Sequence, residues 1–223
     1  MFRICPAALF LSLVAAPAAG QARPDEGQMW MTLQARIPAG RQFMLLEVQQ
    51  RLTDNLSRPG QTGFRIGYGG PVAPALGLQA GYQYFYIEPA RGAASSEHRL
   101  WQQADGPLAR LPGDIRLAWR LRLEERLLEG SDDLGWRLRG QLRATIGDGR
   151  KIAPVLFTEG FAMLNRTDWG QRTGRDQWRV FAGVNLPVSR DLRIEAGYMH
   201  IKLWRPSGDR DIHVANVTLF LRP

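Results

Sequence analysis

Two stretches in the middle of the chain, 115–124 and 136–146, alternate apolar and charged residues almost without error. Successive side chains on a β-strand leave opposite faces. In the first stretch Ile115, Leu117, Trp119, Leu121 and Leu123 therefore point one way, and Arg116, Arg120, Arg122 and Glu124 the other. In the second, Trp136, Leu138, Leu142, Ala144 and Ile146 oppose Arg137, Arg139, Gln141, Arg143 and Thr145. One face is oil and the other a ladder of arginines, which suits a strand set between lipid and a polar lumen.

The same reading along the chain gives eleven strand-like segments, at 29–37, 43–52, 63–68, 76–87, 97–103, 114–126, 135–146, 152–164, 177–186, 192–203 and 212–221. None has competing helical spacing, and most approach the roughly 9 to 11 residues that a tilted strand needs to cross a bilayer. The connections at 147–150 and 187–191 are short, whereas 165–176 and 204–211 are long and polar. Short turns alternating with long loops are the pattern of a membrane barrel. Trp136, Trp178, Tyr82, Tyr84, Tyr86 and Tyr198, on the apolar parity near strand ends, supply an interfacial girdle. The expected fold is an all-β antiparallel transmembrane barrel of ten to twelve strands, closed by 212–221. Single-chain bacterial barrels have an even strand count. Of eleven segments, either one fails to cross, with the short 63–68 and the poorly patterned 97–103 as suspects, or a twelfth escapes notice.

The start of the chain carries Arg3, an apolar run from Ile4 to Ala16, and small residues Ala18, Ala19, Gly20 and Ala22. This reads as a signal peptide over 1–22, cleaved after Ala22, which leaves 23–223 as one barrel domain exported to the outer membrane of a Gram-negative bacterium. The apolar run is shorter than the roughly 20 residues of a spanning helix and holds Pro6 and Pro17. Cys5, the only cysteine, leaves with the signal, so the mature chain has neither a disulfide nor a thiol nucleophile. The net charge of +8 falls to +7 with the loss of Arg3. Because the arginines occupy alternating strand positions and not one surface run, nucleic acid is not expected as a partner.

The ordered runs 97–103 (EHRLWQQ), 120–126 (RLRLEER), 136–139 (WRLR), 158–161 (TEGF), 176–179 (DQWR) and 195–198 (EAGY) resemble those of domain of unknown function 2490. That family comprises bacterial proteins taken to be outer-membrane barrels, and the resemblance covers nearly the whole mature chain. It implies location and architecture and assigns no activity. The ending Leu219, Phe220, Leu221 is similar to the C-terminal signal read by the barrel-assembly machinery, although Arg222 and Pro223 follow the aromatic.

The chemistry is then sought on the lumen parity, where Glu47, Arg51, Arg65, Arg99, Arg116, Arg120, Arg122, Glu124, Arg137, Arg139, Arg143, Glu159, Arg179, Arg193 and Glu195 collect. Eleven arginines face four glutamates in that set. Ion pairing across neighbouring strands would fill a narrow lumen, because a charge short of water needs a partner and guanidinium matches carboxylate in two-pronged fashion. The other reading is a basic constriction that attracts small anions. Glu159 shares its face with Phe157 and Phe161, so an arginine is expected to meet it.

No enzymatic constellation is legible. His98, His200 and His213 lie on separate segments, with no nucleophile and base in register. Asp132–Asp133 and Asp209 with Asp211 read as solvated turns and not as calcium ligands. No glycine-rich phosphate loop appears, so no cofactor is expected. Two functions stand. One is a small, largely filled structural or narrow-pore barrel that prefers anions if it conducts. The other is an interaction protein whose 165–176 loop, with Arg166, Trp169, Arg172 and Arg175, binds an anionic surface group such as a lipopolysaccharide phosphate. In either case outer-membrane lipid and the assembly machinery are the expected partners.

Overall fold

A computed structural model describes residues 26–147, 151–206 and 208–222, and the signal expected over 1–22 lies outside them. Eleven strands follow one another: β1 (Glu26–Ala39), β2 (Gln42–Thr53), β3 (Arg58–Ala73), β4 (Leu76–Ile87), β5 (Ser95–Leu111), β6 (Ile115–Leu128), β7 (Leu134–Ile146), β8 (Ala153–Met163), β9 (Gly174–Pro187), β10 (Leu192–Leu203) and β11 (Arg210–Leu221). Each pairs antiparallel with the next, and β1 pairs with β11 to close a barrel. In a meander with an odd number of strands the first and last run the same way, so this seam is parallel, in register from Glu26 opposite Ile212 to Ala35 opposite Leu221. All eleven segments are in the wall, so the expectation that one would drop out, or that a twelfth was hidden, is corrected.

The two suspect segments are the longest strands. β3 has 16 residues and β5 has 17. Their alternation is blurred for a structural reason: the inward positions include Gly63, Gly67 and Trp101, and register shifts interrupt β3 at Pro71/Ala73 and β5 at Pro107/Ala109. A proline lacks the ladder donor, so a strand carries it at an irregularity.

The connections sort onto two rims. Among the described residues, 40–41, 74–75, 112–114, 147, 151–152 and 188–191 form a short-turn rim, where β11 also ends. The other rim carries 54–57, 88–94, 129–133, 164–173, 204–206 and 208–209, and β1 enters from it. The two-residue turn at 40–41 reverses the chain with Gly40 at a φ of 66°, a left-handed conformation that costs glycine little.

The wall is charged inside and apolar outside. Leu33, Val48, Ile66, Leu100, Leu121, Leu142, Leu156 and Val180 are exposed on the outer surface, while Arg99, Arg122, Glu124, Arg137, Glu159 and Glu195 are buried within. The six aromatics of the expected girdle face outward in the half of the wall nearer the long loops, and Tyr68 and Trp119 face outward nearer the short turns.

Large rings also enter the lumen, and glycines on facing strands make room for them. A Cβ on Gly63 would lie 2.3 Å from the Phe85 ring, and one on Gly67 would lie 2.5 Å from Trp101. A Cβ on Gly197 of β10 would meet the Phe181 ring of β9 at 2.8 Å in the same way. An apolar sector of Trp30, Val155, Phe181, Met199, Ile201, Ile212 and Val214 lines β8 to β11 and the facing part of β1.

Candidate functional site

The lumen-parity residues all come from strands, whose period of two leaves them no other face once the leucines turn outward. Their charges gather into linked clusters. In the first, Glu124 on β6 is fully buried and accepts from Arg137 Nε at 2.8 Å and from Arg139 Nη1 at 2.6 Å, both on β7, with Arg122 Nη1 at 3.9 Å. A second bond from Arg137 Nη2 completes the fork. Arg139 reaches down from this cluster to Glu159 on β8, donating from Nε at 3.0 Å and Nη2 at 2.8 Å. Arg120 also donates to Glu159 at 2.7 Å, and Arg179 stands 3.9 Å away. The carboxylate between Phe157 and Phe161 is thus met by arginines from β6, β7 and β9, two of which, Arg139 and Arg179, lie over the Phe161 ring at 4.5 and 4.4 Å. Such stacking lets a desolvated guanidinium gain from the ring's negative face.

Three further glutamates extend the arrangement. Glu97 accepts from Arg99 Nε at 2.7 Å and from Arg126 Nε at 2.5 Å near the long-loop rim. Arg143 on β7 crosses the lumen to Glu195 on β10, and Arg65 on β3 meets Glu47 on β2. Arg122 spends its Nε and Nη2 on the Gln103 carbonyl oxygen at 3.0 and 2.6 Å and lies over Trp101.

Four inward arginines have no carboxylate partner among the described residues. Arg51 donates twice to Gln49 and lies 3.7 Å over Trp30. Arg116 donates to the Gly147 carbonyl at 2.6 Å. Arg36 covers Phe43 and Arg193 covers Phe220, at 4.8 and 4.9 Å. Arginine exceeds carboxylate inside the barrel, and pairing absorbs only part of the excess.

The two ends of the lumen differ. Toward the long loops it is packed by Phe85, Trp101, Phe161, Met163, Ile201 and Ile212, all buried, with Glu97 among them. The 164–173 loop folds over this end. Gln171 is buried and accepts from Arg126 Nη1 at 3.2 Å, and the Trp169 ring sits 4.9 Å from the same guanidinium. The loop is tied to 129–133 because the Asp168 carboxylate accepts from Ser131 Oγ, and this bond holds Asp168 below its ordinary value. A cavity of about 840 Å³ runs along the lumen from Trp30, Phe85, Arg99 and Arg137 to Arg36, Arg193 and Phe220 near the short turns.

Sequence reasoning brought all fifteen lumen residues to the interior but missed Glu97, Arg126 and Arg36. Their signal was present, since Glu97 shares parity with Arg99, Arg126 with Glu124, and Arg36 with Gln34 and Thr32. The histidines are on the outer wall. His98 Nδ1 is 2.6 Å from Tyr82 Oη, and His200 and His213, read as lying on separate segments, face each other across β10 and β11 with ring centres 5.6 Å apart. Among the described residues no cluster of His, Cys, Asp and Glu could hold a metal ion.

Comparison with known proteins yields relatives without an assigned role. The family described as protein of unknown function (DUF2490) matches residues 27–211. An uncharacterized protein of Methylorubrum extorquens strain AM1 is 32% identical over 217 residues, which cover 95% of each chain. No solved structure matches.

Proposed function

We propose a location and a role for this chain, which belongs to the DUF2490 family of proteins of unknown function: it is an outer-membrane β-barrel, exported through a cleaved signal peptide, and a largely filled barrel rather than an open pore. The observation that carries this reading is the inside-out distribution of side chains. Alternation alone fits a soluble barrel equally well, since that barrel would bury the leucines and leave the arginines in water. Here Leu121 is 50% exposed while its neighbour Arg122 is 3% exposed, and the pattern repeats around the wall. In water such a continuous apolar surface is unstable, and in a bilayer it is the solvated face. The outward aromatics at both ends of the wall fit the two membrane interfaces.

The packed long-loop end supports a barrel that does not conduct, and outer-membrane lipid and the assembly machinery are its partners in this reading. The loop-binding alternative has less support, because Trp169 is engaged by Arg126 and Arg175 lies 4.8 Å over Trp204. The test is fractionation of the mature protein together with its mobility on gels before and after boiling. Recovery with outer membranes and a heat-dependent shift are expected, and recovery in the soluble periplasmic fraction would overturn the location. Planar-bilayer recording should be silent, and stepwise anion-selective conductance would replace the filled barrel with a pore.

A further inference from the structure

We infer that the short-turn end of the cavity is a binding site for a phosphate group, held by Arg36, Arg116 and Arg193. The inference rests on the barrel reading above and adds a ligand class to it.

Three observations carry it. First, Arg36, Arg116 and Arg193 belong to the four inward arginines with no carboxylate partner among the described residues, and each lines the cavity of about 840 Å³. Second, the three lie at one level: Arg116 and Arg193 are each the second residue of a strand that starts from the short-turn rim, and Arg36 is three residues from the end of β1 at that rim. Arg36 and Arg193 come from strands on either side of β11 and Arg116 from β6, and Arg193 is within electrostatic range of both Arg36 and Arg116. Third, Arg36, Arg116 and Arg193 each bury the Nε–H with no acceptor. A guanidinium already removed from water costs least when an anion meets it, and its remaining N–H groups match the tetrahedral oxygens of phosphate.

The acids lining the chamber do not cancel this charge. Glu47 is taken by Arg65, Glu159 by Arg139 and Arg120, and Glu195 by Arg143. Asp105, which faces Arg36, is held by the side-chain amides of Gln79 and Gln103 at 2.7 and 2.8 Å. Those amides stabilise the carboxylate without neutralising it, so Asp105 lowers the positive charge of the site but leaves arginine in excess.

The experiment uses the folded mature barrel in a phosphate-free sugar detergent, titrated with inorganic phosphate by calorimetry and, separately, with a short-chain phosphatidic acid below its micellar concentration. Saturable binding of phosphate, weakened by added salt, is expected. Arg36→Gln with Arg193→Gln should weaken it at least about tenfold, because each lost charge-assisted contact is worth a factor of that order. Arg166→Gln with Arg172→Gln, on the outer loop, should leave it unchanged. Competition between the two probes supports a site for the phosphate group itself, and binding of the lipid alone supports the site with a headgroup as its source. Equal affinity in the lumen variant, loss in the loop variant, or no saturable binding of either probe would overturn the inference. Gel mobility before boiling reports folding independently, so an unoccupied but heat-shifted barrel would refute the site and leave the barrel reading intact. If the double variant does not fold, Arg193→Lys decides. It keeps the charge but loses the planar fork, so it should bind severalfold more weakly, and unchanged binding would count against the site.

Discussion

Replacing Glu124 with glutamine removes the charge at the centre of the lumen network and leaves its shape nearly unchanged. The side chain is fully buried and accepts from Arg137 at 2.8 Å and Arg139 at 2.6 Å, with Arg122 at 3.9 Å. Two unit charges about 4 Å apart interact by roughly 4 kcal/mol at an effective dielectric constant of about 20. Part of that attraction offsets the desolvation already suffered by the three guanidiniums. Arg139 keeps Glu159, but Arg137 has no second carboxylate, so breaking this buried pair should cost about 3 to 5 kcal/mol. The assay is a urea titration of folding into lipid vesicles, read by heat-modifiable gel mobility, with Asp211→Asn as the reference. Asp211 pairs with Lys202 at 2.9 Å on the outer wall, where both side chains are about one-third exposed, and its loss should cost about 0 to 1 kcal/mol. Adding Arg137→Gln to Glu124→Gln should recover part of the loss, because the second change removes a stranded cation. A Glu124→Gln effect no larger than that of Asp211→Asn would refute the reasoning, since it would mean that water screens the lumen throughout.

Leu121→Arg, on the exposed outer face, should cost about 2 to 4 kcal/mol in folding into lipid, whereas Arg120→Leu on the inner face should cost clearly less because Glu159 retains Arg139; equal costs in the same titration would reverse the assigned faces. Gly67→Val should destabilise the barrel by more than about 1 kcal/mol, since a Cβ there would lie 2.5 Å from the Trp101 ring, and Trp101→Leu in the same chain should relieve much of the penalty. The Asp168 carboxylate titrates lower in the folded protein than unfolded, so the tie between the 164–173 and 129–133 loops is present above the ordinary aspartate range and is lost as pH falls through the lowered value; Ser131→Ala should move that titration upward, as followed by NMR of the Asp168 side chain. At the seam, cysteines at Leu33 and Leu219 should cross-link under oxidation, as should cysteines at Met29 and Ala215, because both are register partners; formation of the Leu33–Ala215 bridge instead would mean that β1 and β11 run antiparallel.

The faces of the wall were legible because a period of two admits only two assignments, and one of them puts arginine into lipid. Strands β4 and β10 could be read to the residue, since clear alternation continues to both ends. The limits of β3 and β5 could not. At Gly63, Gly67 and Trp101 the inward residue is chosen by the space that a ring from a neighbouring strand leaves, and that choice depends on partners distant in sequence. The parity of closure was hidden for a related reason. A strand's own pattern fixes which face is lipid and says nothing about the direction of the strand beside it, so an odd count looks like an error until the parallel seam is seen. The charge clusters were half legible: parity placed Glu124 and Glu159 among the arginines, but the donors that reach each depend on the stagger of β6, β7 and β8.

On the proposed membrane location, a barrel turned inside out gains little from burying apolar surface in its own centre, because its outer face is then solvated by lipid in the folded state. What holds the interior must then come from polar contacts in a medium that strengthens them and penalises any left unmade. Arginine suits that demand better than lysine. The planar head of Arg99 stacks on Phe85 while its edge donates to Glu97, and that of Arg139 stacks on Phe161 while its edge donates to Glu124 and Glu159, so one side chain satisfies a ring and a carboxylate together. The same rule separates the two ends of the lumen. At the long-loop end glutamates are sufficient and the packing is closed. At the short-turn end they are outnumbered, and Arg36, Arg116 and Arg193 keep N–H groups that no described residue satisfies. A barrel selected only for stability would gain from a glutamate at Thr145, which pairs with Arg116 on the adjacent strand and faces the same chamber. That the position carries a small neutral residue while the arginine beside it has no carboxylate partner fits a chamber built to receive its negative charge from outside the chain.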